Sequence, residues 1–239
     1  MNQQDYIMRM IDQLAVFLGR IMFHKAAGNL VEAGNELEAT VTNMLGLDPE
    51  LFFSLPPEAL SALIDTSAAP GPDTWYVAGV LLAEQADLLE RAAAPSIAAP
   101  GAGAEDRRIH GRRTGAVSML LKACQAGADQ ARVHARIDAL VASIEFEAAD
   151  LGLLRSLLLH YEADSLYGKA EDFLFILAAL AGEEEHGFCL SFYDRLLLKE
   201  DGELARGGLP RTEILEGLQT LKGLWICGIC PAIPGSKGD

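Results

Sequence analysis

Apolar residues recur at helical spacing from the beginning of the chain. Ile7, Ile11, Leu14 and Leu18 follow one another at intervals of three or four residues. Side chains at these intervals lie on one face of an α-helix, so the spacing predicts a helix over residues 4–25 with a broad apolar stripe. Most polar residues fall outside that stripe, and the opposite side of the helix is expected to face solvent.

The same periodicity continues and predicts helices along nearly the whole chain. They cover residues 30–45, 49–53, 57–65, 74–94, 105–125, 131–146, 151–163, 166–181, 184–199 and 210–222. Glycine and proline interrupt the pattern between them. Ala and Leu are abundant and β-branched residues are sparse, which favours helix over strand. We therefore expect an all-α protein built from antiparallel helical hairpins.

The hairpins are expected to form one domain over residues 1–222, with sub-halves over residues 1–125 and 128–222. Residues 95–104 contain only Ala, Pro, Gly, Ser and Ile, too few large apolar groups to repay the entropy of ordering. This composition predicts a flexible linker. Residues 223–239 have no helical periodicity and predict an irregular tail.

Three pairs of small residues indicate an internal repeat. Each pair is a turn residue followed five positions later by an alanine, at Gly28 and Ala33, Gly111 and Ala116, and Ser165 and Ala170. A small residue allows a tight turn, and the alanine lets the second helix approach the first. The pattern resembles a tetratricopeptide repeat and implies a right-handed array of stacked hairpins. The pairs are irregularly spaced, so the alternative that small residues mark any helical turn stays open.

Several short segments are more distinctive than the hairpin pattern. They are residues 4–11 (QDYIMRMI), 167–172 (YGKAED), 192–197 (FYDRLL) and 207–211 (GGLPR). Together they resemble an uncharacterised bacterial family whose domain has no assigned function. The resemblance covers most of residues 1–222 and implies a tetratricopeptide-like helical fold without assigned catalytic residues. The linker and the cysteine-containing tail depart from that family.

Charge narrows the range of partners. The formal net charge is −15, and a chain this acidic repels phosphate backbones and acidic membrane surfaces. We therefore expect no nucleic-acid partner and no membrane binding. The longest apolar run, residues 173–181, is much shorter than the roughly 20 residues of a membrane-spanning helix.

Location is expected to be cytoplasmic. Asp5, Arg9 and Asp12 interrupt the first apolar stretch, which argues against a signal peptide. The four cysteines are too few for a disulfide scaffold in a chain of 239 residues.

Cys227 and Cys230 form a CxxC motif near the end of the sequence. Such a pair can be a redox dithiol, or half of a zinc site that needs four ligands in all. The βαβ context of a thioredoxin-like motif is missing from the predicted elements. We interpret the pair as incidental to function, with redox activity left open.

A Glu-x-x-His motif occurs at Glu183 and His186. Helical di-iron proteins need two such motifs and two further glutamates, whereas this sequence contains one. The motif lies at the predicted beginning of a helix, where acidic residues stabilise the helix dipole. We therefore do not predict a metal site here.

The one dense basic cluster contains Arg107, Arg108, Arg112 and Arg113. Guanidinium groups bind carboxylates or phosphates in bidentate geometry, so these residues are candidates for partner binding. The alternative is that they pair with the many acidic residues of the same chain.

The sequence thus predicts no catalytic residue, no cofactor and no metal ligand. The favoured hypothesis is a non-catalytic helical scaffold that binds a protein or peptide partner, with an acidic partner suited to the arginines. The alternative is an enzyme or small-ligand sensor with a pocket between helices, assembled from dispersed residues. Homo-oligomerisation stays open.

Overall fold

The computed structural model describes residues 3–66, 71–93 and 102–227. Within these ranges all regular elements are helical, which confirms the predicted all-α class. The helices are α1 (Gln3–Ala26), α2 (Leu30–Leu45), α3 (Pro49–Ser54), α4 (Pro57–Asp65), α5 (Pro72–Ala93), α6 (Ala102–Gln125), α7 (Gln130–Val141), α8 (Leu151–Ala163), α9 (Tyr167–Leu180), α10 (His186–Leu197), α11 (Asp201–Arg206) and α12 (Arg211–Cys227). No helix in these ranges is both long enough and apolar enough to cross a membrane.

Two compact units divide the chain, residues 1–145 and residues 146–239. Helices α1 to α7 belong to the first unit, and α8 to α12 belong to the second. This boundary differs from the sub-halves expected from the sequence, which assigned residues 128–145 to the second half. Helix α7 packs on α6, and this contact places it in the first unit.

The core of the first unit lies between α5 and α6, which make the most extensive helix–helix contact of the described chain. Gly79 on α5 makes the close approach possible. A Cβ atom at this position would lie 2.8 Å from Leu120 Cγ and 3.0 Å from the backbone oxygen of Ala116, so any side chain would push the helices apart. Ala116 itself is fully buried.

Four helices end in the same hydrogen-bonded turn. The second residue after each helix has a positive φ, at Gly28 (74°), Gly127 (94°), Ser165 (59°) and Gly208 (77°). After α1, the N–H of Asn29 donates to the carbonyl of His24 at 2.9 Å, and the N–H of Gly28 donates to that of Lys25 at 3.2 Å. The other three turns repeat this pattern. It is the Schellman motif, which satisfies the last carbonyls of a helix before the chain reverses.

Turns are therefore found at two of the three predicted positions, Gly28 and Ser165. The prediction at Gly111 is wrong because this residue lies inside α6. An isolated glycine costs a helix only about 1 kcal/mol relative to alanine. A continuous buried stripe that includes Ile109, Ala116 and Leu120 offsets that cost. The turn after α6 is formed instead by Gly127.

Helix boundaries depart from the prediction at several places. Helix α6 begins at Ala102, so residues 102–104 of the predicted linker are helical; residues 94–101 lie outside the described residues. Helix α12 continues to Cys227, so the first part of the predicted irregular tail is helical, and residues 228–239 lie outside the described residues. Helix α11 was not predicted at all, and α7 ends five residues before the predicted position.

The second unit contains the α8–α9 hairpin and the helices that follow it. Tyr167 at the beginning of α9 is fully buried, and its hydroxyl donates to Glu203 Oε1 on α11 at 2.5 Å. The N–H of Gly168 donates to the carbonyl of Gly207 at 3.0 Å. These two bonds fasten α9 to the α11–α12 turn.

Candidate functional site

The four arginines of the predicted basic cluster all lie on α6, but they have different surroundings. Arg108 and Arg112 are one helical turn apart and border the same cavity. Arg113 points elsewhere: its Nη2 lies 2.8 Å from Glu90 Oε2, and its Nη1 donates to the carbonyl of Ser143 at 3.0 Å. Arg107 is exposed. The structure therefore brings together two of the four residues.

Arg112 connects three helices. Its Nε donates to Gln85 Oε1 on α5, and its Nη2 donates to the backbone oxygen of Phe53 near the end of α3. The last carbonyls of a helix have no partner within the helix, so this guanidinium caps α3 from outside. The interaction explains how a helix of six residues is held against α5 and α6.

Arg108 is more accessible, with a side chain 54% exposed. Its Nη1 lies 3.1 Å from Glu105 Oε2, a pair three residues apart on α6. Such exposed pairs are worth about 0–1 kcal/mol, so they are easily exchanged for another carboxylate.

Between these helices lies a groove of about 660 Å³, open to solvent. We call it the arginine groove. Residues that define it include Arg108 and Arg112 on α6, Gln85 on α5, Glu38 on α2, and Asp48 and Glu50 at the beginning of α3. All of them belong to the first unit.

The groove carries charges of both signs. Burial lowers the pKa of the Arg112 guanidinium, and the positive charge of Arg108 lowers it further. Arginine stays protonated in proteins, so the lowered pKa reflects mainly the cost of burying this charge and, to a smaller extent, the nearby charge of Arg108. Asp48 already accepts a hydrogen bond from the N–H of Leu51 at 2.9 Å as the N-cap of α3. Glu38 and Glu50 are exposed.

Sequence reasoning identified the arginines of this groove but not its other walls. Glu38, Glu50 and Gln85 come from three different helices, α2, α3 and α5. No spacing pattern connects them. The four-residue interval between Arg108 and Arg112 was the one available signal, because residues at that interval share a helix face.

The other two candidate motifs have different outcomes. Cys227 is the last residue of α12, and Cys230 lies outside the described residues, so the interpretation of the CxxC pair stays a prediction. At the Glu-x-x-His motif, Glu183–Glu185 form a 3₁₀ turn and His186 begins α10. Glu185 makes no side-chain cap there and pairs with Arg155, whose Nε lies 2.7 Å from Glu185 Oε2.

Comparison with known proteins gives one match. No curated protein and no solved structure has significant similarity to this chain. Residues 1–225 match a family described as a family of unknown function (DUF6483). The match extends across both units and includes the linker that was expected to depart from the family. The chain therefore belongs to the DUF6483 family, whose function is unknown.

Proposed function

We propose that the protein is a non-catalytic helical scaffold and that it binds a segment of a partner protein in the arginine groove. A carboxylate of that segment would lie between Arg108 and Arg112. The observation that carries the proposal is the position of these two guanidiniums, one turn apart on α6 and bordering one open groove.

Electrostatics support a carboxylate at this position. Like charges four residues apart on a helix repel each other, and burial strengthens the repulsion because it removes water from between them. The effect of Arg108 on the pKa of Arg112 has this origin. A carboxylate between the two would relieve the repulsion and accept charge-assisted hydrogen bonds.

The shape of the groove supports an extended ligand. Small-molecule sites are usually enclosed and mostly apolar, whereas this groove is open and its walls are mainly charged or polar. A chain segment can lie along such a groove and remain partly solvated. The volume of about 660 Å³ is within the range of small-molecule sites and keeps the second candidate, a small-ligand sensor, in consideration.

Two finer features belong to the same proposal. The repeated Schellman turns, with fully buried alanines five residues after Gly28 and Ser165, support a tetratricopeptide-like right-handed arrangement of the hairpins. A net charge of −15 supports a protein partner over nucleic acid, and we propose a cytoplasmic location.

The experiment is a selection from a displayed library of random peptides on the purified protein. Dissociation constants of the enriched peptides are then measured with wild type, Arg108→Gln and the control Arg107→Gln. Arg107 is a neighbour on α6 that does not border the groove. We expect enriched peptides to contain acidic residues, and Arg108→Gln to weaken them about two- to fivefold while Arg107→Gln has no effect. Equal effects of the two substitutions, or no enriched peptide, would contradict the proposal.

A further inference from the structure

We propose that the segment bound in the arginine groove carries a basic side chain beside its carboxylate, so that it presents both charges at once. This inference rests on the proposed function and specifies the chemistry of the partner. It follows from the composition of the walls.

The walls of the groove contain more negative than positive groups. The lining contains two guanidiniums, Arg108 and Arg112, and three carboxylates, those of Glu38, Asp48 and Glu50, so the formal sum is 2 − 3 = −1. The positive side is further reduced because Glu105 pairs with Arg108. A purely acidic segment would gain contacts with the arginines and would be repelled by the three carboxylates of the same groove.

The carboxylates differ in their ability to bind a cation. All three carboxylates are exposed, and Oδ1 of Asp48 already accepts a hydrogen bond from the backbone N–H of Leu51. A lysine or arginine of the partner would therefore contact Glu38 and Glu50. The two exposed glutamates come from different helices, α2 and α3, so a cation placed between them would contact both elements.

The net charge of the whole protein also favours a segment that carries both charges over a purely acidic one. A net charge of −15 produces a negative field that repels acidic segments during approach. A segment with adjacent charges of opposite sign is close to neutral and escapes this repulsion. It can then contact the groups of both signs in the groove, and this mixed lining disfavours partners of a single sign.

The test uses four synthetic peptides of equal length: one with alternating Glu and Lys, one with Glu only, one with Lys only, and one with Gln in place of every charge. Binding to the full chain is measured by NMR titration at low salt, where screening of exposed charges is least. We expect the alternating peptide to bind several times more tightly than the others.

A double variant gives the more specific readout. Glu38→Gln with Glu50→Gln should weaken the alternating peptide about threefold and strengthen the all-Glu peptide by a similar factor. Opposite effects on two probes cannot come from a general loss of structure. The control is Glu32→Gln with Glu58→Gln, which removes two exposed carboxylates outside the groove, both of them, like Glu50, in the first turn of a helix. It should change neither peptide.

The outcomes separate this inference from the proposed function. If the all-Glu peptide binds wild type at least as tightly as the alternating peptide, the inference is overturned and the carboxylate-binding scaffold stands. If the Glu38 and Glu50 variant weakens both peptides equally, the inference is likewise overturned. If none of the four peptides binds, both the inference and the proposed function fail.

Discussion

The hydroxyl of Tyr193 donates a hydrogen bond of 2.6 Å to Glu171 Oε1, and both groups lie directly beneath Gly217 of α12. Tyr193 is fully buried on α10, and Glu171 is on α9. A Cβ atom at Gly217 would overlap both oxygens, so these side chains or the helix would have to shift to accommodate it. The pair therefore determines how closely α12 packs in the second unit.

Replacing Gly217 with alanine should destabilise the second unit. The added methyl group would separate α12 from α9 and α10 or disrupt the Tyr193–Glu171 bond, and overpacking of this kind costs about 1–3 kcal/mol. Gly223→Ala is the matched control, since it lies on the same helix with no atom within 4 Å of the added Cβ. That substitution should stabilise by up to about 1 kcal/mol. Urea denaturation of both variants is the measurement, and equal effects would refute the packing described for α12.

Glu171 should make the stability of the second unit depend on pH. Burial raises the pKa of Glu171 above its ordinary value of 4.5; the charges of Asp172 and Glu213 raise it further, and the hydrogen bond from Tyr193 opposes them. As pH rises from the ordinary pKa of Glu171 towards its raised value in the folded protein, the unfolded chain releases the proton first. The folded state therefore becomes relatively less stable. This loss of stability is absent at low pH, where Glu171 is protonated in both the folded and the unfolded state.

The variant Glu171→Gln isolates this effect because its amide oxygen can still accept the Tyr193 hydrogen bond. The difference in unfolding free energy between wild type and variant should shift against wild type as pH increases from about 4 to 7. Glu216→Gln, an exposed position on α12, should leave the wild-type profile unchanged. A pH-independent difference between wild type and Glu171→Gln would mean that this carboxyl titrates normally in the folded protein.

The turn between α1 and α2 should require glycine. Gly28 has φ 74°, a region that is unfavourable for residues with a Cβ, so Gly28→Ala should cost about 1 kcal/mol. Gly34→Ala is its counterpart inside α2, where nothing lies within 4 Å of the added atom, and it should stabilise by up to about 1 kcal/mol. Thermal denaturation distinguishes the two, and a stabilising Gly28→Ala would be incompatible with the turn.

Arg112 should contribute to stability as well as to binding. Arg112→Gln removes donors to Gln85 and to the carbonyl of Phe53, and a charged hydrogen bond to a buried acceptor is worth about 1.5–3 kcal/mol. Arg112→Lys should also destabilise because a single ammonium cannot reproduce the fork, whereas Arg107→Gln should stay within about 0.5 kcal/mol of wild type. Chemical denaturation of the three variants is the check. Full recovery with lysine would show that charge, and not geometry, holds α3.

Local pattern was sufficient to predict most helices. Helices α2 and α8 have the predicted boundaries because their ends carry recognisable signals, glycine after α2 and a Schellman turn after α8. The prediction failed where the signal was ambiguous. The hairpin pattern placed a turn at Gly111, whereas the apolar periodicity over residues 105–125 runs through this residue, and the structure follows the periodicity.

The site was less predictable than the fold. Four clustered arginines suggested one basic surface, but their directions on α6 and the positions of Glu90, Ser143 and Phe53 separate them. These partners belong to other parts of the chain. Local sequence patterns do not show how close they lie to the arginines in the folded protein. The opposing carboxylates of Glu38 and Glu50 were missed for the same reason.

The most direct test of the account is to map by NMR where the tightest peptide from the library selection binds. We expect the largest shifts at the Nε–H of Arg112, the side-chain amide of Gln85 and the backbone amide of Glu50, all of which belong to the arginine groove. A different surface is available on α1, where Met22 is 61% exposed and Phe23 is 70% exposed. Shifts confined to these α1 residues, with none in the arginine groove, would contradict the central claim.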